Sequence, residues 1–333
     1  MYLQKLSTKW NKNINEFLWN EWSSIGVPGN VRENSNTIVD VEALFVFSLH
    51  QARFDVRLFD EIFDWVIKND RWLSFQRIKT YARQYEGDEI KRILQAFSRS
   101  VYSATGNIRW KMFLNLADTN DNIPCPFFLN TDTSELPIPG SYDENFKSSG
   151  WLRSHINIRN KSSDIPFESE KNLLFKLRTL FGITPRSEIL AYLICKERVS
   201  ASEIINSTGY SKPSVYDTLA DLTTGKFINQ YNKNGSMKYF VDLNRWKKFL
   251  SIDNPLPVWI DWQRVFVPLY KFSLFLIENT NSNISEYILK SNLITMYEIL
   301  SNAFIASEIK NPFNQNVDLE NVMDVFPDNP IQF

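Results

Sequence analysis

The chain has 333 residues, of which 43% are hydrophobic, 14% are aromatic and 23% are charged, and its formal net charge is −1. This length suffices for two or three domains, and the composition is ordinary for a water-soluble globular protein. The small number of glycines, ten, disfavours Gly-rich phosphate-binding folds, and the two cysteines and two histidines match no metal-ligand or redox spacing.

The chain carries no sequence signal for export, membrane insertion or catalysis. Its first residues, MYLQKLSTKWNKNINEF, lack the apolar core of a signal peptide. The most apolar run, residues 258–277, is interrupted by charged and polar side chains, which argue against a membrane span. Nucleophile elbows, phosphate loops, zinc spacings and paired-carboxylate motifs are missing as well. We therefore expect a cytoplasmic protein that is not an enzyme and binds no cofactor or metal.

Residues 1–117 are predicted to form a helical domain. Four segments carry apolar residues at three- and four-residue intervals, as amphipathic helices do: 41–53, 54–70, 73–85 and 88–102. Short turns between them favour antiparallel packing in a bundle. His50 lies within an apolar helix, so we interpret it as a packed, hydrogen-bonded core residue.

Residues 118–167 have a different composition. They are rich in Pro, Asn, Ser, Asp and Thr, and four prolines fall between Pro124 and Pro139. Because each proline restricts the backbone and removes a hydrogen-bond donor, helices cannot continue through this segment. We interpret it as a long connector, with a disordered part between Ser141 and Gly150.

Charge is unevenly distributed along the rest of the chain. Residues 184–250 contain ten Lys and Arg against six Asp and Glu, whereas residues 251–333 contain four against ten. A basic excess concentrated in one segment is typical of nucleic-acid-binding modules. The sequence therefore directs attention to residues 184–250.

Residues 168–250 are predicted to form a central domain. It opens with an amphipathic helix over 168–181, which Gly182 ends. Thr184 and Pro185 then begin a second helix, as a capping residue followed by proline in the first turn.

Two further helices and a tight turn follow. Ser200 and Glu203 match the capping box that begins a helix, and Gly209 supplies the positive φ that a close helix-to-helix connection needs. The next helix, 211–224, places its apolar side chains on one face, at Val215, Leu219 and Leu222.

The domain ends in a predicted β-hairpin. Residues 227–231 and 237–241 read as strands, and Asn-Gly at 234–235 is the typical dipeptide of a tight hairpin turn. A hairpin directly after a helix-turn-helix is the arrangement of a wing.

Residues 184–242 resemble the winged helix-turn-helix domain of bacterial transcriptional regulators of the multiple-antibiotic-resistance repressor type. The stretches that carry the resemblance are SASEIINSTGYSKPSVYDTLADLTTGKFI and the wing KNGSMKYF. It implies that helix 211–224 reads the major groove of double-stranded DNA and that wing 232–238 contacts the flanking backbone. The expected DNA-binding residues are Ser211, Lys212, Ser214, Tyr216, Asp217, Lys233, Asn234 and Lys238.

Asp217 stands where such regulators often carry Arg or Lys, and Asp221 follows one turn later. A carboxylate can accept a hydrogen bond from the cytosine amino group, but it repels phosphate. The alternative is therefore a protein-interaction or antitoxin-like adaptor, in which the winged helix binds protein instead of DNA.

Residues 251–333 are predicted to be helical, with an acidic and loose tail after Asn311. Large aromatic residues over 258–278 indicate either the core of a helical bundle or a dimer interface. Together the segments predict a mainly α protein: an N-terminal bundle, a central winged helix-turn-helix and C-terminal helices. We expect a homodimeric, sequence-specific DNA-binding regulator, and the sequence leaves open a protein partner or a small-molecule effector.

Overall fold

The structure is a computed structural model that describes residues 2–30, 36–118, 123–252, 255–280, 282, 284–313, 316–325, 327 and 331. Helices account for 59% of the described residues and strands for 7%, which confirms the mainly α class. None of the described helices combines the length and the apolar character that crossing a bilayer requires.

Five helices form the N-terminal bundle: α1 Tyr2–Ser24, α2 Val41–Gln51, α3 Val56–Asn69, α4 Phe75–Ala82 and α5 Glu89–Thr105. The side chains of Asp40, Asp55 and Ser74 accept backbone hydrogen bonds at the starts of α2, α3 and α4. Every residue of α2 is buried, so this helix lies at the centre of the bundle. Helix α1 was not predicted; its many polar residues mask a buried stripe at helical spacing that includes Trp10, Ile14 and Trp22.

The segment after α5 is ordered against the bundle. Strand β1, Cys125–Pro126, pairs in parallel with β2, Trp151–Leu152, and the short helix α6 spans Glu144–Lys147 between them. Phe146, within the stretch predicted to be disordered, is fully buried. The prediction of disorder was wrong because the aromatic side chains of this segment pack on the bundle. Residues 119–122 of the predicted connector lie outside the described residues.

Residues 173–250 contain five helices and three strands in the order α7 Leu173–Phe181, α8 Pro185–Cys195, β3 Val199–Ser200, α9 Ala201–Thr208, α10 Lys212–Thr224, β4 Asn229–Lys233, β5 Ser236–Phe240 and α11 Leu243–Leu250. The strands form an antiparallel sheet in the order β3-β5-β4. The predicted capping box of Ser200 and Glu203 is present at the start of α9. Strand β3 and helix α11 had not been predicted.

Three C-terminal helices complete the fold: α12 Trp262–Asn279, α13 Glu286–Ala306 and α14 Val322–Val325. Helix α12 returns to the bundle, where the rings of Phe47 and Phe266 stack with centroids 4.6 Å apart and those of Trp10 and Phe272 meet edge-on at 4.4 Å. The aromatic residues of 258–278 therefore build the core of the monomer. Of the two interpretations, a bundle core or a dimer interface, α12 fits the bundle core. The tail is also anchored, since Phe313 and Val322 are buried.

The described residues form two hydrophobic cores. The large core draws residues from 3–165 and 260–331, together with Phe175 of α7, so the N- and C-terminal helices share it. The small core lies within residues 173–259, with Ile38 added from the bundle side. We call residues 173–259 the inserted domain. This arrangement differs from the four consecutive segments predicted (1–117, 118–167, 168–250 and 251–333), because partners distant in sequence share one core.

Five charged side chains meet in the interior where the inserted domain joins the bundle. Arg178 of α7 donates to both carboxylate oxygens of Glu42, at 2.8 and 2.9 Å, and to Glu188 of α8 at 2.5 Å. Arg77 of α4 donates to Glu42 and, at 2.5 Å, to Asp40. None of these side chains is more than 5% exposed. We call this set the buried charge network.

The two arginines determine the ionisation of the carboxylate they share. Burial by itself would raise the pKa of Glu42, but Arg178 and Arg77 lower it overall. Burial raises the pKa of Glu188, although Arg178 opposes that shift. Ion pairs without access to water depend on every partner being present, because a charge left alone there is strongly destabilising.

A second buried cluster surrounds His50. Its Nδ1 lies 2.6 Å from Glu89 Oε1, and Arg53 Nη1 lies 2.7 Å from the same oxygen. The prediction of a packed, hydrogen-bonded histidine is therefore confirmed. Burial by itself would raise the pKa of Glu89, but His50 and Arg53 lower it to about 2.

We predict that Arg178→Met lowers the free energy of unfolding by about 3–5 kcal/mol, because it leaves two carboxylates buried without their shared partner. Urea denaturation at neutral pH measures the loss. Arg186→Met is the matched control, since Arg186 is 45% exposed and its pair with Asp221 is exposed too; it should cost about 0–1 kcal/mol. Equal losses in the two variants would contradict the role assigned to the network.

We also predict a pH dependence that Glu89 controls. A carboxyl whose pKa falls from near 4.5 to about 2 on folding stabilises the protein above pH 4.5, and this contribution disappears as the pH falls towards 2. The loss amounts to about 3 kcal/mol at ~1.4 kcal/mol per pKa unit. Urea denaturation between pH 6 and pH 3 should show a shallower decline for Glu89→Gln than for the wild type, and parallel curves would refute the assignment.

Candidate nucleic-acid interface

Helix α10 is divided lengthwise into a buried and an exposed face. Val215, Leu219 and Leu222 are at most 5% exposed and join the small core, as their spacing predicted. This packing turns the opposite face of the helix to solvent. The face that could meet a ligand is therefore set by the apolar positions of α10 itself.

The predicted contact residues of α10 lie on or beside that exposed face. Ser211, Lys212, Tyr216 and Asp217 are exposed, and Ser214 is half-buried. Lys212 Nζ lies 5.9 Å from the centre of the Tyr216 ring, so the cation and the ring adjoin at the start of the helix. The N–H groups in the first turn of a helix have no intrahelical acceptor and attract anions. The start of α10 therefore combines donors, one positive charge and an aromatic surface.

The β4–β5 hairpin presents its turn to solvent. Asn234 and Gly235 both have positive φ, 51° and 80°, as a two-residue turn of type I′ requires. The Gly235 N–H donates to Asn232 Oδ1 at 2.9 Å. Lys233 and Asn234 are exposed at this tip. Lys233 thus has the freedom to meet a charged partner.

Lys238 lies differently from the other predicted lysine of the hairpin. Its Nζ is 2.9 Å from Glu203 Oε2, and its side chain is only 24% exposed. Glu203 also accepts the backbone N–H of Ser200 at 2.7 Å in the capping box. Lys238 therefore fastens the hairpin to α9, and its charge is already paired.

The two acidic residues on the exposed face of α10 differ in their surroundings. Asp221 lies 2.6 Å from Arg186 Nη2 of α8, so its negative charge is compensated. Asp217 forms no ion pair within the described part of the chain. Sequence reasoning missed Arg186, since a partner 35 residues away leaves no local pattern. It missed Arg198 too, which lies 5.8 Å from the ring of Tyr231 in β4 and adds positive charge beside the hairpin.

The turn between α9 and α10 packs directly on the bundle. Gly209 has φ 73°, and a Cβ at this position would lie 2.8 Å from a ring carbon of Tyr81 in α4. Arg77 Nε donates to the carbonyl of Thr208 at 2.8 Å, and Tyr210 Oη lies 3.4 Å from Ser74 Oγ. Because the same arginine belongs to the buried charge network, the bundle determines the orientation in which α10 is presented.

We predict that Gly209→Ala destabilises the protein more than Gly235→Ala. Both residues have positive φ, which costs a residue with a side chain about 1–2 kcal/mol. At Gly235 an added Cβ meets no atom within 4 Å, whereas at Gly209 it collides with Tyr81. Overpacking adds about 1–3 kcal/mol at Gly209. Urea denaturation of both variants gives the difference, and equal losses would show that the turn does not press on α4.

Comparisons with known proteins find no relative of this chain. No family model, no curated protein and no solved structure matches the chain. Within the described residues, no group of three or more His, Cys, Asp or Glu side chains is placed to hold a metal ion. The role of the inserted domain therefore has to follow from its own residues.

Proposed function

We propose that the inserted domain is a winged helix-turn-helix and that the protein is a sequence-specific, DNA-binding transcriptional regulator. The succession α8, β3, α9, α10, β4 and β5, with an antiparallel sheet in the order β3-β5-β4, supports the winged helix. In this proposal α9 and α10 are the helix-turn-helix, α10 is the recognition helix and the β4–β5 hairpin is the wing.

The observation that carries the proposal is the pairing of an exposed helix start with an exposed hairpin tip. Lys212 at the first position of α10 and Lys233 at the end of β4 are both exposed and have no ion-pair partner within the described residues. The other face of α10 is sealed by the small core. A helix about 10–12 Å across fits the major groove, which is about 12 Å wide.

The exposed residues divide by the part of DNA that each would contact. Lys212 and Lys233 would contact phosphates, which position the protein without reading sequence. Ser214, Tyr216 and Asp217 would face base edges, where Asp217 can accept from the cytosine amino group. Pairing with Arg186 offsets part of the repulsion between Asp221 and phosphate. The objection raised by the two carboxylates therefore applies more strongly to Asp217.

A homodimer remains part of the proposal. A twofold dimer would place two recognition helices about 34–36 Å apart, one turn of DNA. The aromatic side chains of α12 cannot supply its interface because they lie in the large core. A dimer would need another surface, and the exposed Tyr287 and Ile288 at the start of α13 are available for one.

The alternative is an adaptor whose exposed face binds protein, as in an antitoxin-like complex. Tyr216 is 46% exposed and Met237 is 39% exposed, and both belong to the elements that would face DNA. Aromatic residues and methionine are enriched at protein interfaces. DNA-binding measurements separate the two functions.

We predict that the protein selects a DNA sequence from a random duplex pool and binds it with a steep salt dependence. Between about 50 and 200 mM salt, each phosphate that the protein neutralises should contribute about −0.9 to the slope of log K against log [salt]. Lys212→Ala and Lys233→Ala should each weaken binding to specific and random DNA alike and make the slope shallower by about one. Gel-shift titration of both variants measures these changes.

Lys5→Ala on α1 is the matched control, because it removes one exposed lysine from the bundle. It should leave the affinity and the salt slope unchanged. If the wild type binds no DNA at low salt, or if all three variants lose affinity equally, the regulator proposal fails and the adaptor takes its place.

A further inference from the structure

A polar cleft lies between the inserted domain and the C-terminal helices. Its volume is about 170 Å³, and α8 and α9 face the start of α12 and the end of α13 across it. One water molecule needs only ~10–15 Å³ of such space, so a small organic molecule fits. The residues used below are Glu203, Trp259, Asp261, Arg264 and Ser307, all of which line the cleft.

Two hydrogen-bonding groups in the wall have no partner. Trp259 is 3% exposed and Ser307 is 5% exposed. Within the described residues, neither the indole Nε1 of Trp259 nor the hydroxyl of Ser307 has a hydrogen-bond partner. The Trp259 ring is held edge-on against Tyr192, with centroids 5.3 Å apart. Buried donors are usually paired, and an acceptor placed in the cleft would supply the partner that these two lack among the described residues.

The wall also carries charges of both signs. Lys196 Nζ lies 2.5 Å from Glu308, Arg264 Nε lies 3.6 Å from Asp261, and Glu203 is paired with Lys238. Burial raises the pKa of Asp261, although Arg264 opposes the shift. The Asp261 carboxylate is thus incompletely compensated, and a cationic group brought into the cleft would stabilise its charged form.

We propose that this cleft binds a small zwitterion of the free amino acid class. The ligand carboxylate accepts hydrogen bonds from the Trp259 indole N–H and the Ser307 hydroxyl, and the ligand ammonium faces Asp261 and Glu203. An apolar ligand would leave these groups unpaired, and a simple anion would meet the carboxylates. The site does not depend on the proposed DNA binding, because none of its residues belongs to the exposed face of α10 or to the hairpin tip.

The position of the cleft gives the ligand a means of regulating the inserted domain. Glu203 both lines the cleft and holds Lys238 of the hairpin through its carboxylate. A ligand ammonium would compete with Lys238 for that carboxylate. Occupancy would therefore act on the contact that fastens the hairpin to α9.

The test is thermal unfolding of the full chain with each of the twenty common amino acids at about 10 mM, followed by calorimetric titration of any that stabilise it. We expect at least one to raise Tm. Trp259→Phe keeps an aromatic side chain but removes the five-membered part of the indole with its N–H, so it should weaken the binding of that amino acid by at least about tenfold. Because Trp259 is buried in the small core, the smaller Phe ring also lowers the Tm of the unliganded variant, and the affinity is compared at a temperature at which both proteins are folded.

Trp246→Phe is the matched control. It removes the N–H of another buried tryptophan in the inserted domain, one that bonds the carbonyl of Phe227 at 3.3 Å, and Trp246 does not line this cleft. The Trp246→Phe variant should bind the amino acid with the same affinity as the wild type. Ser307→Ala is a second test variant. Like Trp259→Phe, it should bind the amino acid more weakly than the wild type.

Three results would overturn the proposal. The first is that no amino acid shifts Tm. The second is that Trp259→Phe and Ser307→Ala both bind with wild-type affinity. The third is that the decarboxylated amine of the best amino acid binds equally well, which would make the cleft a cation site. Each of these results is independent of the gel-shift outcome.

Discussion

The ion pairs of Arg77 and Arg178 connect the two cores of this protein. Arg178 extends from α7 to Glu42 at the centre of the bundle and to Glu188 of the inserted domain. Arg77 extends from α4 to Glu42 and to the carbonyl that ends α9. Because these groups are buried away from water, each charge depends on the others for compensation. The two cores can therefore separate only if these charges become exposed to water or remain buried without a partner. The junction therefore behaves as a rigid connection.

That rigidity bears on the proposed function. The turn between α9 and α10 lies against Tyr81, so the start of α10 is presented at an angle that the bundle determines. The polar cleft lies between α8 and α9 of the inserted domain and helices α12 and α13. The inserted domain is thus joined to the bundle through buried charges and also borders a ligand-sized space. In the proposed regulator, a ligand in the cleft would act on the contact between Glu203 and Lys238.

Local sequence signals predicted several caps and turns of the inserted domain. Ser200 with Glu203, Gly209, and Asn234 with Gly235 each specify a cap or turn through the conformation of one to four residues. Helix α1 and the packed segment around Phe146 were missed, because polar composition outweighed a few buried aromatic anchors. Arg186 and Arg198 were missed for another reason. Their positions beside Asp221 and Tyr231 arise only when distant elements meet.

The sequence by itself determined the mainly helical class, the buried face of α10 and the residues exposed at its start, because these follow from periodicity and capping within a few residues. Tertiary structure alone decided that the N- and C-terminal helices share one core, that the α12 aromatics face inward and that Lys238 is already paired. It also decided where the charges of Glu42, Arg77 and Arg178 are compensated. These outcomes depend on contacts between residues tens to hundreds of positions apart, and neither composition nor spacing encodes such contacts.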